Sequence, residues 1–193
     1  MDLLLASTSV VRGTMLANAG VAYGVVAPGV DEAAVKAGFV GDDAALAGML
    51  AGAKAVAVSQ GRAKALVIGG DSVLSLEGRR FSKPGGRAEA AEHLRAFSGR
   101  TMVLTSAVAL ARDGVVEWSH AEEARLLIRE LSEGFIEEYL DGEWPEVGSC
   151  VGVFRLEGRG VQLFERIEGD YFSVLGMPLV ALLGALRARG VKV

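Results

Sequence analysis

Residues 65–68 read ALVI, an unbroken apolar run that ends on two β-branched side chains. Side chains of a strand point alternately to its two faces, so a strand apolar at every position has no face to offer to water. Other elements must cover both sides, which points to the interior of a sheet in an α/β chain. Two glycines and an acid follow in IGGDSV, Ile68–Val73. Asp71 then falls at or near the C-terminal end of the strand. Open α/β sheets place ligands just outside the carboxyl ends of their strands, although an Asp behind Gly-Gly also suits a plain turn.

The rest of the chain agrees with that class. Leu3–Ala6 predicts a first strand, and the hydroxyls of Ser7, Thr8 and Ser9 can cap a helix from about Val10 to Gly20. A short strand at AYGVVA comes next. Asp42 and Asp43 then open a long helix to about Gln60, in which Leu46, Met49, Leu50, Ala53, Val56 and Ala57 recur at helical spacing. Beyond Asp71, SVLSLEGRRFS predicts a hairpin around Glu77-Gly78, Arg87–Phe97 a helix, and TMVLTSAVALARDGVVEW two strands joined at Asp113-Gly114. A further strand is expected around Ala124–Arg129, a helix from Ser132 to Tyr139, a glycine-punctuated hairpin over Val151–Gly169, and a last helix started by Pro178. The sum is an α/β fold, an elongated mixed β-sheet flanked by helices. With no internal repeat or long linker, residues 1–193 are expected to form one domain.

Charge and composition narrow the function. A net charge of -4 and no basic stripe argue against a nucleic-acid surface. The single cysteine, Cys150, allows no internal disulfide and suits a reducing compartment, as a small core-facing thiol. MDLLLASTS lacks a basic leader region, and VLGMPLVALLGALRARG contains Pro178 and closes on Arg187 and Arg189. Neither a signal peptide nor a membrane span is expected, and the chain reads as soluble and cytoplasmic. His93 and His120 show no zinc-ligand spacing.

The remaining polar residues form a mixture suited to phosphate chemistry. Cleaving a phosphoanhydride calls for a hard divalent cation on one or two carboxylates, cations for the leaving group, and a base for water. Candidates are Ser7, Ser9 and Arg12 at the first helix start, where backbone N–H groups also face outward, the acids Asp31 and Glu32, Lys54, Asp71, Lys83, and the charges from Arg155 to Asp170, with Glu157 among them. Each has a plainer alternative. Lys54 either runs its stem along the protein surface or aims into a cleft, Asp31-Glu32 can simply begin a helix at Ala33, SKPGG can be an ordinary turn, and the charges after Arg155 can be a solvated hairpin face.

Taken in order, LLLASTSVVRG, PGVDE, AKA, IGGDSV, SKP, FSGRT, GSCVGVFRLEGRG and LFERIEGDYFSVLGMPL resemble the Maf family of nucleoside triphosphate pyrophosphatases over nearly all of the chain. The resemblance implies two lobes around a cleft, as in the inosine-triphosphate-pyrophosphatase-like folds, and metal-dependent hydrolysis, with Mg2+ or Mn2+, of a nucleoside triphosphate to the monophosphate and pyrophosphate. It also implies frequent homodimers. By motif, Asp71 matches the proton acceptor and a metal-site acid, Glu32 the acid of VDE at the metal, and Ser9, Arg12, Lys54 and Lys83 phosphate-handling positions. Val11, Ser72 and Glu157 fall where the family selects its base. Glu157 resembles the 7-methyl-GTP branch, where the dTTP/UTP branch has Gln.

Departures leave room for other readings. Val10, Val11 and Gly13 stand where the family has a proline, a bulkier or basic residue and a second basic residue, and Met102 replaces a histidine. A nucleotide-binding regulator of cell division that has lost turnover is one alternative. A dTTP/UTP-type pyrophosphatase is another. GDSV also resembles the Gly-Asp-Ser block of certain esterases, with Ser72 as nucleophile, but no histidine follows His120 to serve as its base.

Overall fold

The computed structural model describes residues 2–193. In chain order the elements are β1 (Leu3–Ala6), α1 (Val10–Asn18), β2 (Gly24–Val25), α2 (Glu32–Lys36), α3 (Asp43–Ser59), β3 (Leu66–Leu76), β4 (Arg79–Phe81), α4 (Arg87–Phe97), β5 (Thr101–Arg112), β6 (Val115–Ile128), α5 (Glu133–Glu143), β7 (Phe164–Glu168), α6 (Tyr171–Val174) and α7 (Leu179–Arg187). Helix starts follow capping chemistry: Ser9 Oγ accepts from Arg12 N, Asp42 from Ala45 N and Ser132 from Phe135 N.

Among the described residues seven strands form a mixed sheet in the order β2-β1-β3-β5-β6-β7, with β4 on β3. Strand β1 pairs in parallel with both β2 and β3, whereas β3 with β4 and β6 with β7 are antiparallel. Helices beside a mixed sheet give the α/β class. Both two-residue turns read from the sequence have positive φ throughout, at 52° and 81° for Glu77-Gly78 and 48° and 81° for Asp113-Gly114. Type I′ turns require that geometry.

The chain divides into two compact units. The first comprises the chain through Ser72, Thr105–Glu123 and Asp170–Val193; the second comprises Val73–Leu104 and Ala124–Gly169. In the first unit, Leu66 and Ile68 of β3 join Leu16 of α1 and Leu182 of α7 in one buried cluster. Val67, on the opposite face of the strand, packs with Ala55 and Val58 of α3 in another. Both faces of the apolar run are thus covered. In the second unit Phe81 packs edge-on against Phe97 at 4.9 Å, and the α4 arginines Arg87 and Arg95 pair with Glu137 and Glu133 of α5.

Three expectations need correction. Strand β3 does not stop at Ile68 but runs on to Leu76, so Asp71 lies within the strand. The separate strand expected at Ala124–Arg129 is the end of one continuous strand, β6. The Val151–Gly169 hairpin is instead a series of turns with a short 3-10 helix at Arg159–Leu163 before β7. Its glycines serve close packing: a Cβ on Gly160 would lie 2.6 Å from the backbone nitrogen of Arg155.

Candidate active site

A glycine brings the first unit's charged groups together. A Cβ at Gly69 would lie 2.1 Å from the carbonyl oxygen of Ala51 and 2.8 Å from the nitrogen of Ala55, so only the bare backbone lets α3 settle onto β3. Lys54, three residues after Ala51, lies on the same side of the helix. Asp71, two residues after Gly69, projects from the same face of the strand. The ammonium meets that carboxylate, with Lys54 Nζ donating to Asp71 Oδ1 at 2.7 Å. Glu32 arrives from α2, with Oε1 also 2.7 Å from Lys54 Nζ.

Burial sharpens this triad. The side chains of Lys54 and Asp71 are 9% and 12% exposed, so their pairing is sheltered from water, whereas Glu32 is 41% exposed. Partial burial works to raise the pKa of Glu32, but Lys54, assisted by Lys36, outweighs it and holds the carboxyl below its ordinary value. Among the described residues the hydrogen bond to Asp71 falls on Oδ1, and none engages Oδ2.

Arg12 forms the neighbouring wall. Its Nε donates to the carbonyl of Gly176 at 2.9 Å and its Nη2 to Ser72 Oγ at 3.3 Å, while Ser72 Oγ lies 2.9 Å from Ser106 Oγ. Two glycines leave room for this guanidinium, since a Cβ on Gly70 would come 3.1 Å from Arg12 Nε and one on Gly176 3.5 Å from Nη2. Burial lowers the pKa of Arg12, partly offset by Asp71 and Glu32, which places those acids within electrostatic reach of it.

At the start of α1, Ser7 Oγ accepts from Ser9 N at 3.1 Å, and an open cavity of about 360 Å³ lies against Ser7, Ser9, Thr14 and Tyr23. Val11 packs partly buried against the core cluster. Gly13, where a basic residue is missing, is closed off by Tyr23, whose hydroxyl donates to its carbonyl at 2.7 Å and would lie 2.9 Å from a Cβ there.

Lys83 and Glu157 belong to the second unit. Both are exposed, and no hydrogen bond or ion pair among the described residues engages either side chain. They share the neighbourhood of the partly buried Cys150: burial raises the thiol's pKa, Glu157 adds to that, and Lys83 and Arg155 oppose it.

The structure therefore brings Glu32, Lys54 and Asp71 into one cluster, with Arg12 and Ser72 joined by a hydrogen bond beside it. The sequence alone assigns no role to Ser106, Gly70 or Gly176. The Gly-Gly pair was visible, but its division of labour depends on which neighbour each glycine faces. Ser72 finds Arg12 and Ser106 as partners and neither histidine, so the serine-nucleophile reading has no base.

A family model described as Maf-like protein matches residues 2–189. The chain is 47% identical over 189 residues to a protein of Nitrobacter hamburgensis named nucleoside triphosphate pyrophosphatase, with 97% of this chain and 94% of that one covered. It is 46% identical over 193 residues to a Rhizobium meliloti protein named 7-methyl-GTP pyrophosphatase, covering 97% and 96%. A Caulobacter vibrioides nucleoside triphosphate pyrophosphatase is 46% identical over 189 residues, covering 96% and 94%.

Proposed function

The chain belongs to the Maf family, and on that premise we propose that it hydrolyses a nucleoside triphosphate to the nucleoside monophosphate and pyrophosphate, with 7-methyl-GTP or another modified nucleotide preferred. The observation that carries this reading is the buried ammonium of Lys54 shared by two carboxylates, Asp71 and Glu32, beside the guanidinium of Arg12. Acids to handle a proton and cations to handle phosphate charge are there in one place.

The donor set fits a hard divalent cation. Among the described residues no group of three or more His, Cys, Asp and Glu is placed to hold a metal, but Mg2+ is commonly held by one or two carboxylates, substrate phosphates and water. Asp71 and Glu32 would hold Mg2+ or Mn2+. Bound there, the ion would neutralise phosphate charge and make water a better nucleophile.

The chain's own residues supply the remaining steps. Asp71 Oδ2, the oxygen that Lys54 does not engage, accepts the proton of the attacking water as the anhydride bond to the departing pyrophosphate breaks. When Asp71 takes that proton, the Lys54 ammonium keeps Glu32 as its counter-ion. Arg12 and Lys83 meet the charge growing on the pyrophosphate, and Ser9 with the first turn of α1 offers hydrogen-bond donors to phosphate oxygens. On the base side, the Glu157 carboxylate accepts hydrogen bonds from the donor edge of a guanine, with Ser72 and Val11 at the other selectivity positions.

Pyrophosphate release from a panel of canonical and methylated nucleoside triphosphates, with and without Mg2+ or Mn2+, tests the proposal. Metal-dependent release that favours 7-methyl-GTP and is lost in Asp71→Asn is expected. Near-normal turnover in that mutant would remove Asp71 from its role. Binding without release from any triphosphate would return the chain to the regulator reading.

A further inference from the structure

The segment that presents Glu157 is strained and tethered. Val153, buried and β-branched, has φ +56°, a backbone region such residues rarely enter unless their surroundings enforce it. The enforcing contacts come from α5. The hydroxyl of Tyr139 donates to the carbonyl of Val153 at 2.9 Å, and burial, reinforced by Glu143, raises the phenol's pKa so that it keeps this proton. At the end of the same helix, Glu143, only 6% exposed, accepts from Arg155 Nη2 at 3.0 Å. On its outer face, Glu138 accepts from Arg159 Nη2 at 3.2 Å.

These ties bracket one residue. Arg155 and Arg159 stand two positions either side of Glu157, and the chain between them closes a turn in which Gly158 N donates to the carbonyl of Arg155 at 3.1 Å. Two glycines allow the fit: Gly160 lies directly on the Arg155 backbone, and Gly142 of α5 leaves room for the Arg159 guanidinium, whose Nη1 would lie 2.3 Å from a Cβ there. Every nearby charge on the segment is drawn onto α5 except Glu157. Among the described residues no hydrogen bond or ion pair engages its carboxylate, which stands on a turn tied to α5 on both sides.

Resting on the base-recognition role proposed above for Glu157, we infer that Tyr139 and Glu143 are positioning residues for nucleotide selectivity. They fix the Val153–Arg159 turn so that Glu157 meets a guanine edge with its orientation set in advance. An acceptor held in place discriminates between bases because the wrong base leaves it unpaired; on a loose loop it would swing to water, and much of the discrimination would go with it.

The test compares kcat/KM for 7-methyl-GTP, GTP and UTP in the parent protein and in Tyr139→Phe, Glu143→Ala, Glu157→Ala and the double variant Glu143→Ala/Glu157→Ala, with thermal denaturation confirming that each is folded. Tyr139→Phe changes a single hydroxyl and keeps the ring, so it should fold even if Glu143→Ala does not. In the tether variants the guanine-over-uracil ratio should fall at least about fivefold, mostly through KM, with kcat for the best substrate nearly kept. The double variant should discriminate no worse than Glu157→Ala. An equal loss for all three nucleotides, or an unchanged ratio where Glu157→Ala does change it, would overturn the positioning role alone. An unchanged ratio in Glu157→Ala would overturn the role of Glu157 and this inference with it.

Discussion

Lys54 Nζ lies 2.7 Å from Asp71 Oδ1 and 2.7 Å from Glu32 Oε1. One buried cation therefore serves two acids from different elements, a strand and a short helix. The long, flexible lysine stem puts the charge where they converge, and α3 can hold it there because Gly69 lets the helix lie against the strand.

Removing that cation should cost activity and stability together. In Lys54→Met the Asp71 carboxylate is left buried without its partner, and losing one partner of a buried pair typically destabilises by about 3–5 kcal/mol. Turnover should fall at least about a hundredfold. Denaturant unfolding and pyrophosphate release check the two effects, and a variant as stable and active as the parent would remove Lys54 from both roles.

Glu32 makes the triad pH-sensitive. Its pKa is lower in the folded chain than in the unfolded one, so its stabilising contribution is present in full above the unfolded carboxyl value and is lost as pH falls through the folded value. Tm measured from pH 7 down to pH 3 should decline on the acid side, and Glu32→Gln should show a shallower decline. Parallel curves would mean that the charge of Glu32 contributes nothing to stability.

The adjacent glycines should respond differently to a methyl group. Gly69→Ala meets helix backbone that cannot move aside, so a destabilisation of about 3 kcal/mol or more is expected. Gly70→Ala meets the Arg12 side chain, with Nε at 3.1 Å and Cδ at 3.3 Å; it should leave Tm nearly unchanged and raise KM as the guanidinium is displaced. Chemical denaturation beside steady-state kinetics separates the two outcomes.

Ser72→Ala removes one acceptor from Arg12 but leaves the bond to the Gly176 carbonyl. Turnover should fall by less than about tenfold, and a fluorophosphonate should label neither the parent nor the variant. Labelling that disappears on substitution would revive the nucleophilic serine.

Much of the architecture could be read locally. The caps at Ser9, Asp42 and Ser132 and the turns at Glu77-Gly78 and Asp113-Gly114 are short-range features, set by side chains that bond the nearest backbone or by residues that tolerate positive φ. The misplaced strand end at Asp71 shows the limit. A polar residue after Gly-Gly looks like a stop, yet Lys54, seventeen residues earlier in the chain, supplies the charge that lets the strand continue through it.

By itself, then, the sequence determined the α/β class, most of the element starts and, through its motifs, which acids and cations to consider. The tertiary structure decided how they are used. It paired Lys54 with two carboxylates, gave Gly69 to helix packing and Gly70 to Arg12, and tied the Glu157 turn to α5 through Tyr139 and Glu143. The physical reason is range: capping and turn preferences act over a few residues, whereas a buried charge or a missing Cβ takes its meaning from atoms brought beside it only by folding.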